Sequence, residues 1–326
     1  MSNAQIVLCP GQGAQALGMG RAWFEKSASA AALFARADAA LQHVLPAPLT
    51  KLCFEGPAET LNQTDVSQPA LYTCAIASFH AMQAEPNAPS LVACAGLSLG
   101  EYTALHLAGA FSFEVGLHLV ATRGRVMQAA AQQSLGGMVA LIGADEAQAQ
   151  AVCDGAAPEG HGDVLVCANF NAPGQIVLSG HATACERALE VASTLGCRAT
   201  KLHVAGAFHS PLMAPAADAL RSALESVEFH PLQCEVWSNV TARPHAQNDP
   251  QLLKKLLVDQ LVHPVRWAQS MLALTAALAV GADRPVLHEL APGSVLKGLM
   301  RRIDRSCEVT SHDQPSTPAP AEAPRA

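Results

Sequence analysis

Residues 95–102 read AGLSLGEY, a serine set between two glycines in the pattern G-x-S-x-G. The apolar run that leads into it, LVACAG, predicts a buried strand, and EYTALHLAGA after it predicts a helix. Strand, tight turn and helix is the setting that pushes a serine hydroxyl clear of a sheet's edge, so Ser98 is a candidate nucleophile. The helix N-terminus behind it would add free N–H groups and partial positive charge. The plainer reading is a small residue at a glycine-flanked turn.

The same strand-then-loop pattern occurs at the start of the chain. QIVLCPGQGAQALGMG reads as a buried strand that breaks into a glycine-rich loop, with helix from about Trp23. Further on, Ser112 is placed to cap a long helix, FEVGLHLVATRGRVMQAAAQQ, whose Phe113, Leu117, Val120 and Met127 recur at three- and four-residue steps. On a wheel of about 100° per residue, Arg123 falls roughly 40° off the edge of that apolar stripe and Arg125 about twice as far. Arg123 can therefore border a cleft, whereas Arg125 is expected to face solvent.

Residues 136–206 follow a different order. MVALIG, DVLVCANF, QIVLSGH and RATKLHV read as strands, and ADEAQAQAVCDGA and ATACERALEVASTLG read as helices. The resulting β-α-β-β-α-β order is that of the ferredoxin-like split unit. It predicts an inserted subdomain over 136–206 within a larger α/β domain, 1–135 and 207–310, whose alternating strands and helices imply a mainly parallel sheet. The Pro/Ala-rich end, taken as 311–326, is expected to be a disordered tail.

At 326 residues, half of them apolar, the chain can bury a large core. A formal net charge of -7 argues against a general nucleic-acid binder. Ten scattered cysteines without a C-x-x-C pair, most within apolar runs, suit buried thiols in a reducing compartment. Thirteen histidines without ligand spacing predict no metal site. No run reaches the ~18 apolar residues that a membrane span needs, so no membrane is expected among the partners. No signal peptide is expected, and MSNA at the start leaves open a targeting segment already removed.

A serine nucleophile needs a base. His209, in VAGAFHSPLM, leaves the last strand of the insert through small residues and stops before a proline, at the junction where a cleft is expected; His106 and His203 are its rivals. An oxyanion needs paired N–H donors. Leu99, after the serine, would supply one. The loop PGQGAQ could bring the Gln12 N–H close, because Gly11 and Gly13 permit unusual backbone angles. A phosphate cradle is the alternative use of that loop, although it has neither G-x-G-x-x-G nor a Walker lysine.

Taken together, PGQGAQ, GLSLGEY, TRGRVMQ, GAFHSPLM and QLVHPVRW resemble the malonyl-CoA:acyl-carrier-protein transacylase family in order and approximate spacing, from about residue 5 to 305. The resemblance implies an α/β hydrolase-like large subdomain carrying a ferredoxin-like small one. It implies transfer of a malonyl group from coenzyme A to an acyl carrier protein for fatty acid biosynthesis, through a malonyl ester of Ser98, with His209 as general base and acid. Gln12 and Leu99 would form the oxyanion hole, and Arg123 would grip the malonyl carboxylate. The family uses no triad acid: a backbone carbonyl orients the histidine, and the matching position here is Gln260. Asn169 matches a position near the cleft. Phe208 sits in an A-F-H like that of modular acyltransferases that use malonyl, and is expected beside the acyl pocket.

Where bacterial members usually read G-H-S-L-G, this chain has Leu97. With VAGAFH, that departure looks more like the family's plastid branch and favours a chloroplast enzyme, with a bacterial cytoplasmic one as the alternative. The resemblance implies no cofactor and a monomer. An acidic carrier protein is expected to dock on a local basic surface, for which Lys297, Arg301, Arg302 and Lys201 are candidates. A serine hydrolase and a non-catalytic carrier-binding module are the rival readings.

Overall fold

The structure is a computed structural model that describes residues 4–160, 162–278 and 286–315. Numbered in chain order, its strands are β1 (Ala4–Cys9), β2 (Ser90–Gly96), β3 (Gly136–Ile142), β4 (Leu165–Ala172), β5 (Gln175–His181), β6 (Arg198–Lys201), β7 (Glu235–Trp237), β8 (Val286–Leu290) and β9 (Val309–His312). They form two sheets. One is ordered β7-β2-β1-β8-β9 with every neighbour parallel; the other is ordered β4-β5-β3-β6 with every neighbour antiparallel. A parallel sheet needs cover on both faces, which is why β1 and β2 read as nearly unbroken apolar runs rather than as alternation.

The alternation along β1 divides the core. Val7 and Cys9, with Cys94 of β2, pack under one set of helices around Phe34, Leu71, Tyr72, Leu117 and Val120. Ile6 and Leu8, with Ala93 and Ala95, face Trp267, Met271, Leu274, Leu296 and Met300 on the other side. The antiparallel sheet has a separate core, in which Val139, Leu141, Ile176 and Leu178 lie under Val152, Ala184 and Ala188. Its strand order is that expected of the ferredoxin-like unit, so the α/β class holds, with the first sheet parallel throughout.

Register positions the site. Cys9 pairs with Gly96, and Ala95 pairs with Trp237, so β1, β2 and β7 end side by side. The loops that follow, beginning at Pro10, Leu97 and Ser238, therefore emerge together at the carboxyl edge of the sheet, where parallel α/β folds place their ligands. The second sheet is tied to this edge through β4: Val265 N–H donates to the Ala168 carbonyl at 2.8 Å, and Phe170 N–H donates to the Val265 carbonyl at 2.9 Å.

The helix expected after Ser112 runs Phe113–Gln133, and the Ser112 hydroxyl accepts the Val115 N–H. No helix among the described residues is long and apolar enough to cross a membrane. Nine of the ten cysteines are buried as free thiols. Of the tail expected over 311–326, residues from 316 onward lie outside the described residues; Ser311 and His312 belong to β9, where they pair with Glu289 and Leu290.

Candidate active site

The turn at Ser98 is built by close approach. A Cβ on Gly96 would lie 1.9 Å from the Gly100 carbonyl carbon, and one on Gly100 would lie 2.1 Å from the Cys9 oxygen. Neither position admits a side chain, so strand β2 and the helix Gly100–Leu107 meet across a minimal turn. Ser98 at its apex has φ +53°, a strained angle for a residue other than glycine and a recurring mark of functional sites. Asn239, on the loop after β7, holds the strained residue from the side: its Oδ1 accepts the Ser98 N–H at 2.6 Å, and its Nδ2 donates to the Gly96 carbonyl at 2.7 Å.

His209 also has positive φ, +55°, and its Nε2 lies 2.8 Å from Ser98 Oγ. Its Nδ1 lies 2.7 Å from the Gln260 backbone carbonyl. A carbonyl can only accept, so Nδ1 carries the proton and Nε2 of the neutral ring is left to accept from the serine hydroxyl. Burial, followed by the nearby Arg123 charge, pushes the imidazole down to about 4, although the Gln260 carbonyl pulls it up. At neutral pH the ring is therefore uncharged and able to take a proton. Of the rivals, His106 has Nδ1 3.0 Å from the Phe111 carbonyl and packs against Tyr72 and Phe111; His203 sits on the wall of the same cleft as His209.

Arg123 was expected at the border of a cleft. It is instead buried, 1% exposed, behind Ser98. The helical wheel gives its direction but not its depth, and the helix Thr64–Gln83 packs over that face. Its Nη2 donates to Ser98 Oγ at 3.0 Å and to Gln260 Oε1 at 2.9 Å, and its Nη1 donates to Gln68 Oε1 at 2.8 Å. The guanidinium carbon lies 5.4 Å from the Tyr102 ring centroid. Nε is buried without a partner, and no carboxylate lies within ion-pair distance among the described residues. Arg125, two residues on, is exposed.

The PGQGA loop lies against the turn. A Cβ on Gly11 would sit 2.2 Å from the Leu97 carbonyl oxygen, so this glycine serves close approach, and Gly13 is the one that takes an unusual angle, φ +105°. Among the described residues the N–H groups of Gln12 and Leu99 have no protein acceptor, as expected for donors at a loop and at the first turn of a helix. A cleft of about 420 Å³ opens in front, lined by Gln12, Leu97, Ser98, Phe208 and His209, with Asn169 from the antiparallel sheet facing them. Val295 and Leu299, on the helix Val295–Ile303, also reach it. On that helix Arg301 and Arg302 are exposed and Lys297 is half-buried, whereas Lys201 is paired with Glu186.

Sequence reading missed the groups behind the site. Glu101 is fully buried; its Oε1 lies 2.6 Å from His245 Nε2, and its Oε2 accepts from the Asn239 N–H at 3.1 Å and from Gln260 Nε2 at 2.6 Å. A glutamate in the first turn of a buried helix was the available signal. Gln68 and Asn239 gave none, because only the packing of their elements brings them here.

A model of the acyl transferase domain matches residues 6–311. Malonyl CoA-acyl carrier protein transacylase of Bacillus subtilis (strain 168) is 38% identical over 311 residues, covering 95% of this chain and 93% of that protein. The solved malonyl CoA-acyl carrier protein transacylase from Coxiella burnetii superposes with TM-score 0.87 at 36% identity, covering 95% of this chain and 94% of that one. A malonyl-transacylase solved in complex with a holo type II polyketide-synthase acyl carrier protein superposes with TM-score 0.84 at 33% identity, covering 96% and 97%.

Proposed function

The chain belongs to the malonyl-CoA:acyl-carrier-protein transacylase family, and on that premise we propose that it moves malonyl from malonyl-CoA to the phosphopantetheine thiol of an acyl carrier protein through a malonyl ester of Ser98. It is an acyltransferase of fatty acid biosynthesis. The observation that carries the substrate assignment is the buried Arg123 guanidinium, 3.0 Å from Ser98 Oγ and without a carboxylate partner. A desolvated cation is costly until an anion arrives, and a malonyl chain attached at Ser98 ends in one.

In this reading His209 Nε2 takes the Ser98 proton as Oγ attacks the thioester carbon. Gln12 and Leu99 donate their N–H groups to the oxygen as it becomes negative. The C–S bond breaks, the coenzyme A sulfur leaves with the proton returned by His209, and the ester remains. The carrier thiol then gives its proton to His209 and repeats the sequence in reverse, a ping-pong exchange between thioesters of similar energy. The Gln260 carbonyl holds the ring in the required tautomer, the task of an aspartate or glutamate in ordinary serine hydrolases. These steps call for no metal or redox cofactor, and we read the enzyme as a monomer.

Phe208 and Asn169 line the cleft, and we assign them to the acyl pocket and the thioester arm. We read residues 1–135 and 207–310 as the subdomain that carries the nucleophile and 136–206 as the one that closes the cleft. Bacterial relatives support a bacterial cytoplasmic enzyme over a plastid one. Intact mass after incubation with malonyl-CoA tests the reading: one malonyl adduct is expected on the parent protein and none on Ser98→Ala, and an adduct retained on Ser98→Ala refutes it.

A further inference from the structure

The guanidinium of Arg123 is surrounded by acceptors that carry no charge. Gln68 Oε1 stands at 2.8 Å, Gln260 Oε1 at 2.9 Å and Ser98 Oγ at 3.0 Å. The carboxylate in the same network, Glu101, is turned to other donors: His245 Nε2, the Asn239 N–H and Gln260 Nε2. The Gln260 amide therefore stands between cation and anion. Its Nε2 must donate to Glu101, which leaves Oε1 to face Arg123. The Gln68 amide is set in the same sense, its Nε2 directed at Met127 Sδ at 3.4 Å while Oε1 accepts from Arg123. Both glutamines are fully buried.

At 260 an amide is needed as donor to Glu101 and to the Ser98 carbonyl, but at 68 glutamate has almost the same shape as glutamine, so packing alone does not require an amide there. Charge does. A carboxylate at 68 or 260 would pair with Arg123 within the protein, and an incoming carboxylate would then meet a neutralised cation beside a negative charge. We propose that Gln68 and Gln260 are positioning residues that set the enzyme's preference for a carboxylated acyl group, by fixing the Arg123 fork through neutral oxygens and leaving its charge for the substrate. The proposal rests on the assignment of Arg123 to the malonyl carboxylate.

Gln68→Glu tests it with almost no change of shape. Serine acylation by malonyl-CoA, read as kcat/KM, should fall roughly a hundredfold, the scale of bringing two like charges within about 6 Å in a partly dry site. Acylation by acetyl-CoA should change only a few-fold, so the malonyl-to-acetyl ratio collapses, which a merely structural role for Gln68 would not produce. An intact ratio, or equal losses with both thioesters, overturns the proposal. Gln68→Leu is an independent arm should the glutamate variant not fold. It releases one arm of the fork and should raise KM for malonyl-CoA more than for acetyl-CoA; an unchanged ratio in folded Gln68→Leu also overturns the proposal. Arg123→Ala, run in parallel, separates the two levels. If it leaves the ratio intact, the assignment of Arg123 fails; if it collapses the ratio while both Gln68 variants keep it, only the present inference fails.

Discussion

Arg123→Ala probes the substrate assignment most sharply. The side chain is 1% exposed and donates to Ser98 Oγ, Gln68 Oε1 and Gln260 Oε1. With malonyl on Ser98, a fork already 3.0 Å from the ester oxygen's position is in reach of a carboxylate two carbons along the chain. Truncating one partner of a desolvated charge pair costs about 2–5 kcal/mol, much of it from the partner left unpaired. At about 1.36 kcal/mol per tenfold, kcat/KM for malonyl-CoA should fall roughly 30- to 4,000-fold. Acetyl-CoA strands no carboxylate, so its acylation should hold or rise. Removing the guanidinium also leaves two buried glutamine oxygens without donors, so thermal stability should drop whichever substrate is used. The substrate ratio therefore discriminates, and stability does not. Single-turnover acylation of Ser98, followed by intact mass with each thioester, gives that ratio. Arg123→Lys should recover only part of the loss, since an ammonium cannot reproduce the planar fork. Equal losses for malonyl- and acetyl-CoA would refute the carboxylate clamp.

The pH profile tests the base. With His209 pushed down to about 4 by burial and by Arg123, kcat/KM for acylation should stay level from pH 8 to about 5 and fall only as pH approaches 4; a half-loss near 6.5 would show an ordinary, solvated imidazole. The same depression has a stability consequence. The unfolded chain takes its proton near 6.5 and the folded chain near 4, so the contribution is present above 6.5 and lost as pH falls through that window, which acid titration of the melting temperature would detect. Phe208→Ser should raise the acceptance of methylmalonyl-CoA relative to malonyl-CoA; an unchanged preference removes Phe208 from the acyl pocket. Reversing charge at Arg301 and Arg302 should raise the KM for carrier protein, most at low salt, and leave that for malonyl-CoA unchanged; an unaltered carrier KM moves docking to another surface.

Local grammar made part of this molecule legible. The turn around Ser98 could be read because Gly96 and Gly100 are excluded from being anything larger, and the insert could be read because hydrophobic period 2 alternates there with period 3.6. Arg123 could be given a direction but not a depth, since burial depends on how the helix Thr64–Gln83 lies across the helix Phe113–Gln133. Gln68, Glu101 and Asn239 were illegible for a related reason. Asn239 reaches Ser98 only because β7 pairs with β2 in the register Trp237–Ala95, a contact between segments some 140 residues apart. Gln260 entered through family resemblance for its carbonyl alone. Its side chain, which separates Glu101 from Arg123, became visible only once those groups were placed together.

The proposed mechanism makes the ester on Ser98 an intermediate of transfer rather than of hydrolysis. The direct measurement is to isolate the malonylated enzyme, free of coenzyme A, and mix it with holo carrier protein or with buffer alone, following both proteins by intact mass. Malonyl should leave the enzyme and accumulate on the carrier in equal amount, while the ester in buffer alone persists over the same interval. Loss of the ester at the same rate in both, with free malonate and no malonyl carrier, would contradict it.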